Sequence, residues 1–395
     1  MVKKSEIYGG YSKVPRRRRD GSDKKRRRTG GVNFMAMLDA VVIVVTVGNA
    51  VLLLLGYLAP RVNPNSLVVF AFLGLAVPVL LIINFAALLY WTMRWKKLVI
   101  LPLAVLVLGL GKVALIFQPS LGKHYNGERE KGALTIVTHN AHGFLSMDGS
   151  GVYLDQTLEL LSSLTPDIVC LQEYQITPQI TQQRADELLS ALPFRSVCFK
   201  MQYDADTGFG MAVYSRYPII RSDFINFEQH NGSFMWADVV CRRDTLRVFN
   251  CHFQTTSIDA SDREFVTSAE FMQQDAVDNK RRMRSILSKL AQNFRIRATQ
   301  ADTIARVIHS SPHDVVVCGD FNDTPVSYTY RRIRGPLADS FVDKGTGRTN
   351  TYRGFFNLFR IDYILHSRNY RTLLYAEPPT QWSDHNPVVT TIKKD

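Results

Sequence analysis

Val315-Val316-Val317-Cys318-Gly319-Asp320-Phe321-Asn322-Asp323-Thr324-Pro325 reads as a buried strand with a polar exit. The apolar, β-branched run predicts the strand, and Gly and Pro punctuate its end. As the strand stops it delivers Asp320, Asn322 and Asp323 in four residues. Strand ends in α/β sheets face crevices where ligands bind. For Asp323 the favoured reading is local, an Asx-type turn ahead of a helix. For Asp320 and Asn322 the rest of the chain supplies partners.

Working outward, the chain has 395 residues and a formal charge of +13. The charge is unevenly placed. Residues 1–33 carry 12 Lys/Arg against 3 acids, residues 34–120 carry 5 against 1, and residues 121–395 hold 31 of each. The large C-terminal region is therefore neutral, which argues against a broad electrostatic pull on nucleic acid. Residues 1–33 read as a disordered basic tail.

Three apolar segments follow, at about 38–59, 67–91 and 98–117. Each is near the ~20 residues that cross a hydrocarbon core, so a three-helix transmembrane region is expected over 34–120. The positive tail and the Arg94-Trp95-Lys96-Lys97 loop flank a loop holding only Arg61. Positive loops stay inside, so a multi-pass protein of the cell membrane is expected, its N-terminus cytoplasmic and everything after Phe117 extracytoplasmic. A polar tether is read over 121–132 and a globular α/β domain over 133–395. Five cysteines, three of them in apolar strands, suit buried free thiols better than disulfides.

Within that domain, one apolar run after another ends on a polar group: Asn140, Glu173, His252, Asp320 with Asn322, Asp362, and Asp384 with His385. Singly, each has an ordinary explanation: a turn cap, a surface ion pair, a satisfied core histidine. Jointly, several unrelated carboxylates and imidazoles would have to reach strand ends by accident. The carboxylates and amides are hard oxygen ligands suited to Mg²⁺, Mn²⁺ or Ca²⁺ rather than zinc. The histidines titrate near neutrality, as acid, base or phosphate contact.

At these residues the chain resembles the endonuclease/exonuclease/phosphatase (DNase I-like) superfamily, as a membrane-anchored member of bacterial type. THNAH, VCLQEY, GFGMAVYSRYPI, FNCHFQ, CGDFND, RIDYIL and WSDHNPV follow in family order over about 134–392. The resemblance implies a four-layer α-β-β-α sandwich with the site where the strand ends of two sheets meet. It implies that Glu173 holds a divalent metal (Mg²⁺ or Mn²⁺), with Asn140 beside it and Asp384 completing the metal side. His385 would pair with Asp362. Asp320 and Asn322 would position the attacking water and a phosphate oxygen, and His252 would contact the phosphate or assist the leaving group.

The expected activity is metal-assisted hydrolysis of phosphate esters by in-line attack of water, with an endonuclease among the options. A phospholipid or phosphomonoester hydrolase is the alternative within enzymes, and a non-catalytic membrane receptor for phosphorylated ligands the alternative outside them. Two features leave the substrate open. Phe355–Phe359 is read as core first, and otherwise as a loop that enters a bilayer or stacks on bases. The basic stretch over 280–297 is read first as a solvated helix face.

Overall fold

The computed structural model describes residues 34–119, 130–146, 149–204, 206–227, 230–242, 244–256, 262, 265, 276–354 and 357–395. The basic tail, most of the tether, and Phe355 and Phe356 lie outside the described residues. The chain divides into two compact units, one ending at Val44 and one running Val45–Asp395. The first contributes the opening turns of helix α1 (Phe34–Leu58).

In the second unit, α1 continues to a short turn at Ala59–Arg61 and α2 runs Val69–Met93. Among the described residues these two helices are long and apolar enough to cross a membrane. The third expected span is corrected. It forms a nine-residue helix, α3 (Ile100–Leu108), interrupted at Gly109, with one further turn at Leu110–Val113. A Cβ at Gly109 would collide with the Tyr57 ring, so the break lets α1 and α3 approach closely. Beyond it, Leu115 joins the core of the large fold, and Phe117–Gln118 pairs antiparallel with Gly347–Arg348. Polar side chains tie the apolar helices together: Asn49 Nδ2 donates to Leu80 O (3.2 Å) and Asn84 Nδ2 to Pro102 O (3.0 Å). Away from water these amides would be costly without such partners.

The α/β fold has two six-stranded sheets face to face. The first holds β1 (Leu134–Asn140), β2 (Ile168–Ile176), β3 (Phe194–Gln202), β4 (Gly208–Ser215) and two later strands. Between β1 and β3 lie helices α4 (Leu154–Ser163) and α5 (Gln182–Leu188). The second sheet holds β5 (Ile219–Asn226), β6 (Ser233–Cys241), β7 (Asp244–His252), β8 (Asp314–Asp320), β9 (Ala338–Asp339) and β10 (Asp362–His366). Helix α6 (Ala276–His309) precedes β8 and α7 (Tyr328–Arg334) follows it. Then β11 (Tyr370–Ala376) and β12 (Val388–Lys394) complete the first sheet in the order β11-β12-β1-β2-β4-β3; the second runs β9-β10-β8-β7-β6-β5.

Three apolar layers explain this stacking. Ile136, Ile168, Val213, Val248, Val316 and Ile364 fill the space between the sheets, joined by the Cys170 and Cys318 thiols. Leu158 and Leu161 of α4 cover the outer face of the first sheet, and Ala301, Ile304 and Ile308 of α6 cover that of the second. The four-layer α-β-β-α architecture follows, and all five cysteines are free. Each sheet has one parallel pair near its centre, β1 with β2 and β7 with β8, and both pairs end toward the same crevice.

Candidate active site

The β7–β8 register sets His252 opposite Asp320, and the antiparallel β8–β10 register sets Asp362 opposite Asp320 on the other side. Gly319 makes this possible. At φ +128 it passes so close to Cys251 that a Cβ would lie 2.8 Å from the Cys251 backbone N and C, and nearer still to its carbonyl oxygen. In the first sheet, Asn140 ends β1 opposite Gln172. The next residue, Glu173, sits in an irregularity between Leu171 and Tyr174 with φ 51. Such a bulge re-aims a side chain at the cost of local strain.

All eight residues singled out in the sequence come together here. His385 Nδ1 lies 2.9 Å from Asp362 Oδ2, and both side chains are buried. The opposite ring nitrogen of His385 stands 3.7 Å from Asp320 Oδ2 and 4.0 Å from Asp384 Oδ1. Asp320 accepts from Asn322 N (2.7 Å), Asn322 Nδ2 (3.0 Å) and Asn140 Nδ2 (3.2 Å). Asn140 Nδ2 also reaches Glu173 Oε1 at 3.2 Å. His252 Nε2 stands 3.5 Å from Glu173 and 3.8 Å from Asp320. Among the described residues it is buried without a hydrogen-bond partner, a donor or acceptor aimed into the site.

Burial and charge set the protonation. Burial pushes the Asp320 carboxyl up to about 8; Asp362 adds to this, while His385, Asn322 and Asn140 oppose it. Burial alone would lower His385, but Asp362 and Asp320 outweigh it and hold the ring well above the usual imidazole range. His252 is lowered by burial against the pull of Glu173, and burial with His385 nearby lowers His139 to about 3. The site thus pairs a charge-holding imidazole with a neutral one.

Three things were not singled out from sequence. His142, two residues past Asn140, lies 3.5 Å from Asp384 and 3.9 Å from Glu173, bridging the open side of the cluster. Its position inside THNAH was the available signal. Beneath the site, Gln172 Nε2 donates to Asn250 Oδ1 (2.6 Å), and Asn250 Nδ2 donates to Leu171 O and Ala212 O, locking the two sheets together. Ser383 Oγ donates to Asn140 O at 2.8 Å and accepts from His385 N at 3.1 Å, tying the last motif to the first. Asp323 keeps its local role: its carboxylate accepts from Thr324 N and faces the buried Arg297 at 3.7 Å.

Two sets of side chains have the donor types to hold a divalent ion. Asp320, Asp362 and His385 present ligand atoms within 4.8 Å of one another. The His385 Nδ1–Asp362 bond already occupies part of that set, however. Glu173 and Asp384 instead present carboxylates to the open cavity, with Asn140 behind Glu173, and this oxygen-rich group suits a hard cation.

Search of the curated proteins finds no match. A family model for a domain of unknown function matches residues 39–115. Among solved structures, an endonuclease/exonuclease/phosphatase from Beutenbergia cavernae is similar at 18% identity, over 67% of this chain and 72% of that one, with a TM-score of 0.49. A humanized D. rerio TDP2 is similar at 15% identity over 66% and 99% of the two chains (TM-score 0.46). The human Nocturnin catalytic domain with bound sulfate anion is similar at 16% over 67% and 95% (TM-score 0.43). The model of the Endonuclease/Exonuclease/phosphatase family matches residues 137–385, more than half of the sequence, and the chain belongs to that family.

Proposed function

We propose that this protein is a membrane-anchored, divalent-metal-dependent phosphodiesterase. The observation that carries the reading is the convergence of Glu173, His252, Asp320, Asp362 and His385 from both sheets on one crevice. In this reading Glu173, Asn140 and Asp384 hold Mg²⁺ or Mn²⁺. Bound there, the ion would neutralise phosphate oxygens and favour ionisation of water.

The chain's own residues do the rest. Asp362 holds the His385 Nδ1–H and stabilises the imidazolium, so the opposite nitrogen, facing Asp320, takes the proton that the attacking water gives up and the ring carries it. Asp320, held by Asn322 and Asn140, aims the attacking water in line with the leaving group. His252, neutral and unpartnered, donates to a phosphate oxygen or to the departing oxygen.

Anchoring rests on α1 and α2, which leave large apolar side chains such as Val51, Val79, Ile82, Phe85 and Leu89 exposed. The α1–α2 loop touches the large fold, since Asn63 Nδ2 donates to Asp302 Oδ2 (3.3 Å) and Tyr328 Oη (3.2 Å). The catalytic fold therefore lies beside the α1–α2 loop.

Hydrolysis of bis(p-nitrophenyl) phosphate by the full chain tests the enzyme reading. Turnover should require Mg²⁺ or Mn²⁺, cease with chelator, and fall by at least about 10²-fold in His252→Ala and Asp320→Asn. Unchanged turnover in both variants would remove the site assignment. A reporter active only outside the cytoplasm, fused after Asp395, tests the orientation: an active fusion puts the catalytic fold outside, and a silent one puts it on the side of the basic tail, as two crossings require.

A further inference from the structure

The catalytic cluster opens on a cavity of about 450 Å³. Glu173, Asp320, Asn322, Asp384 and His385 are part of its lining. Much of the rest is apolar: Phe359 and Ile361 lie close to the cluster in sequence, and two more distant parts of the chain join them. Helix α6 contributes Met283, Ile286, Leu287, Leu290 and Phe294, and α2 contributes Leu75. The α6 spacing of three and four residues makes one continuous stripe. The same face continues further along the helix at Ala301, Ile304, Ala305 and Ile308, where it packs on the second sheet. The first half of α6 thus carries apolar side chains that serve the cavity, and Leu287 remains 44% exposed.

Helix α2 is built into this wall. The Phe72 ring meets Phe294 edge-on at 5.3 Å. At Gly74 the backbone touches the large fold so closely that a Cβ would lie 2.5 Å from Val326 O. Leu75 follows directly, on a helix long and apolar enough to cross a membrane.

From this continuity we infer that the cavity is a subsite for the apolar chain of an amphiphilic phosphate ester. The phosphate would sit against Asp320, His252 and His385 while the chain lies along α6 toward α2. The inference rests on the phosphoesterase reading above and names its substrate class. A polynucleotide would need a basic track for its successive phosphates. Among the described lining residues the only Lys or Arg is Arg297, which is buried, donates to Gln254 O and faces Asp323. Lys280, Arg281, Arg284 and Arg295 of α6 are exposed rather than lining the cavity. The scale of the effect follows from burial of methylenes, each worth about a fourfold gain in affinity while the chain stays inside the cavity.

The test uses the full chain in lipid nanodiscs, because detergent would compete for the groove. Binding of ethyl, butyl, hexyl and octyl phosphate is measured by calorimetry, together with hydrolysis of the matching p-nitrophenyl alkyl phosphates. Affinity should rise about fourfold per methylene in the wild-type protein. It should lose that dependence in Leu287→Glu, which alters a half-open position, and in Leu290→Glu, with melting curves showing both folded. Affinity independent of chain length in the wild-type protein would overturn the inference, as would tighter, steeply salt-dependent binding of a single-stranded oligonucleotide. No hydrolysis of any ester, with chain-length-dependent binding intact, would overturn the phosphoesterase reading and leave the groove supported.

Discussion

Gly319→Ala tests whether the close passage of β8 against β7 builds the site. The substitution adds one carbon in a backbone conformation, φ +128, that L-residues rarely adopt, and places it 2.8 Å from two backbone atoms of Cys251. The conformational cost is about 1–3 kcal/mol. The steric cost of overpacking rigid neighbours is about 1–3 kcal/mol more, since strand backbone rather than a flexible side chain must move. The sum is about 2–6 kcal/mol, and at roughly 2–4 °C per kcal/mol for a fold of this size Tm should fall by about 4–24 °C. The displacement would fall on the next register pair, His252 and Asp320, whose side chains are only 3.8 Å apart. A misplacement near 1 Å costs on the order of 10²-fold in rate. Thermal melting of the full chain, with bis(p-nitrophenyl) phosphate turnover below the transition, reads both effects. A variant with wild-type Tm and turnover would refute the argument that glycine is required for the strands to approach.

Asp362→Asn should leave the fold intact but lower turnover by about 10³–10⁴-fold, because the amide no longer fixes the His385 tautomer or its charge; an unchanged pH–rate profile would sink this role. In the metal-free protein both coupled groups bind protons more tightly when folded. Asp320 is raised from 3.8 to about 8, so its folded state loses stability as pH rises across that window. His385 is raised too, so its contribution is complete below about 6.5 and lost as pH climbs through its higher folded value. Tm with chelator should therefore be lower at pH 9 than at pH 5, and Asp320→Asn should flatten the slope between pH 4 and 8; a rising Tm would contradict the electrostatics. Arg360→Ala should cost about 3–5 kcal/mol in urea unfolding. It strands the buried Asp339, held by Arg360 at 2.9 and 3.1 Å, and frees Leu115 O at the end of the third apolar segment.

The site was legible because its residues ride on the most regular signal in the chain. Asn140, His252 and Asp320 each terminate a fully or largely buried strand, and a run such as Val315-Val316-Val317 cannot be anything but interior. His142 was less legible, since nothing in its neighbours shows that the chain turns back there at φ 49. The strands left unread, β3, β5, β11 and most of β12, are outer or mixed-polarity strands. Phe194-Arg195-Ser196-Val197-Cys198 has no clean alternation because β3 is an edge with both faces half open.

Local chemistry was enough for the family, the metal-suited oxygen set and the two long apolar helices, since each depends on residue type and short-range order. The third apolar segment could not be judged that way. Composition makes 98–117 resemble a span, yet Gly109 breaks it against Tyr57, and Leu115 is drawn into a core whose other members lie more than a hundred residues away. The same holds for the cavity. An apolar stripe on α6 looks like core in sequence, and only long-range packing decides that its first half meets α2 at Phe72 and Leu75 and lines a cavity shared with the candidate site.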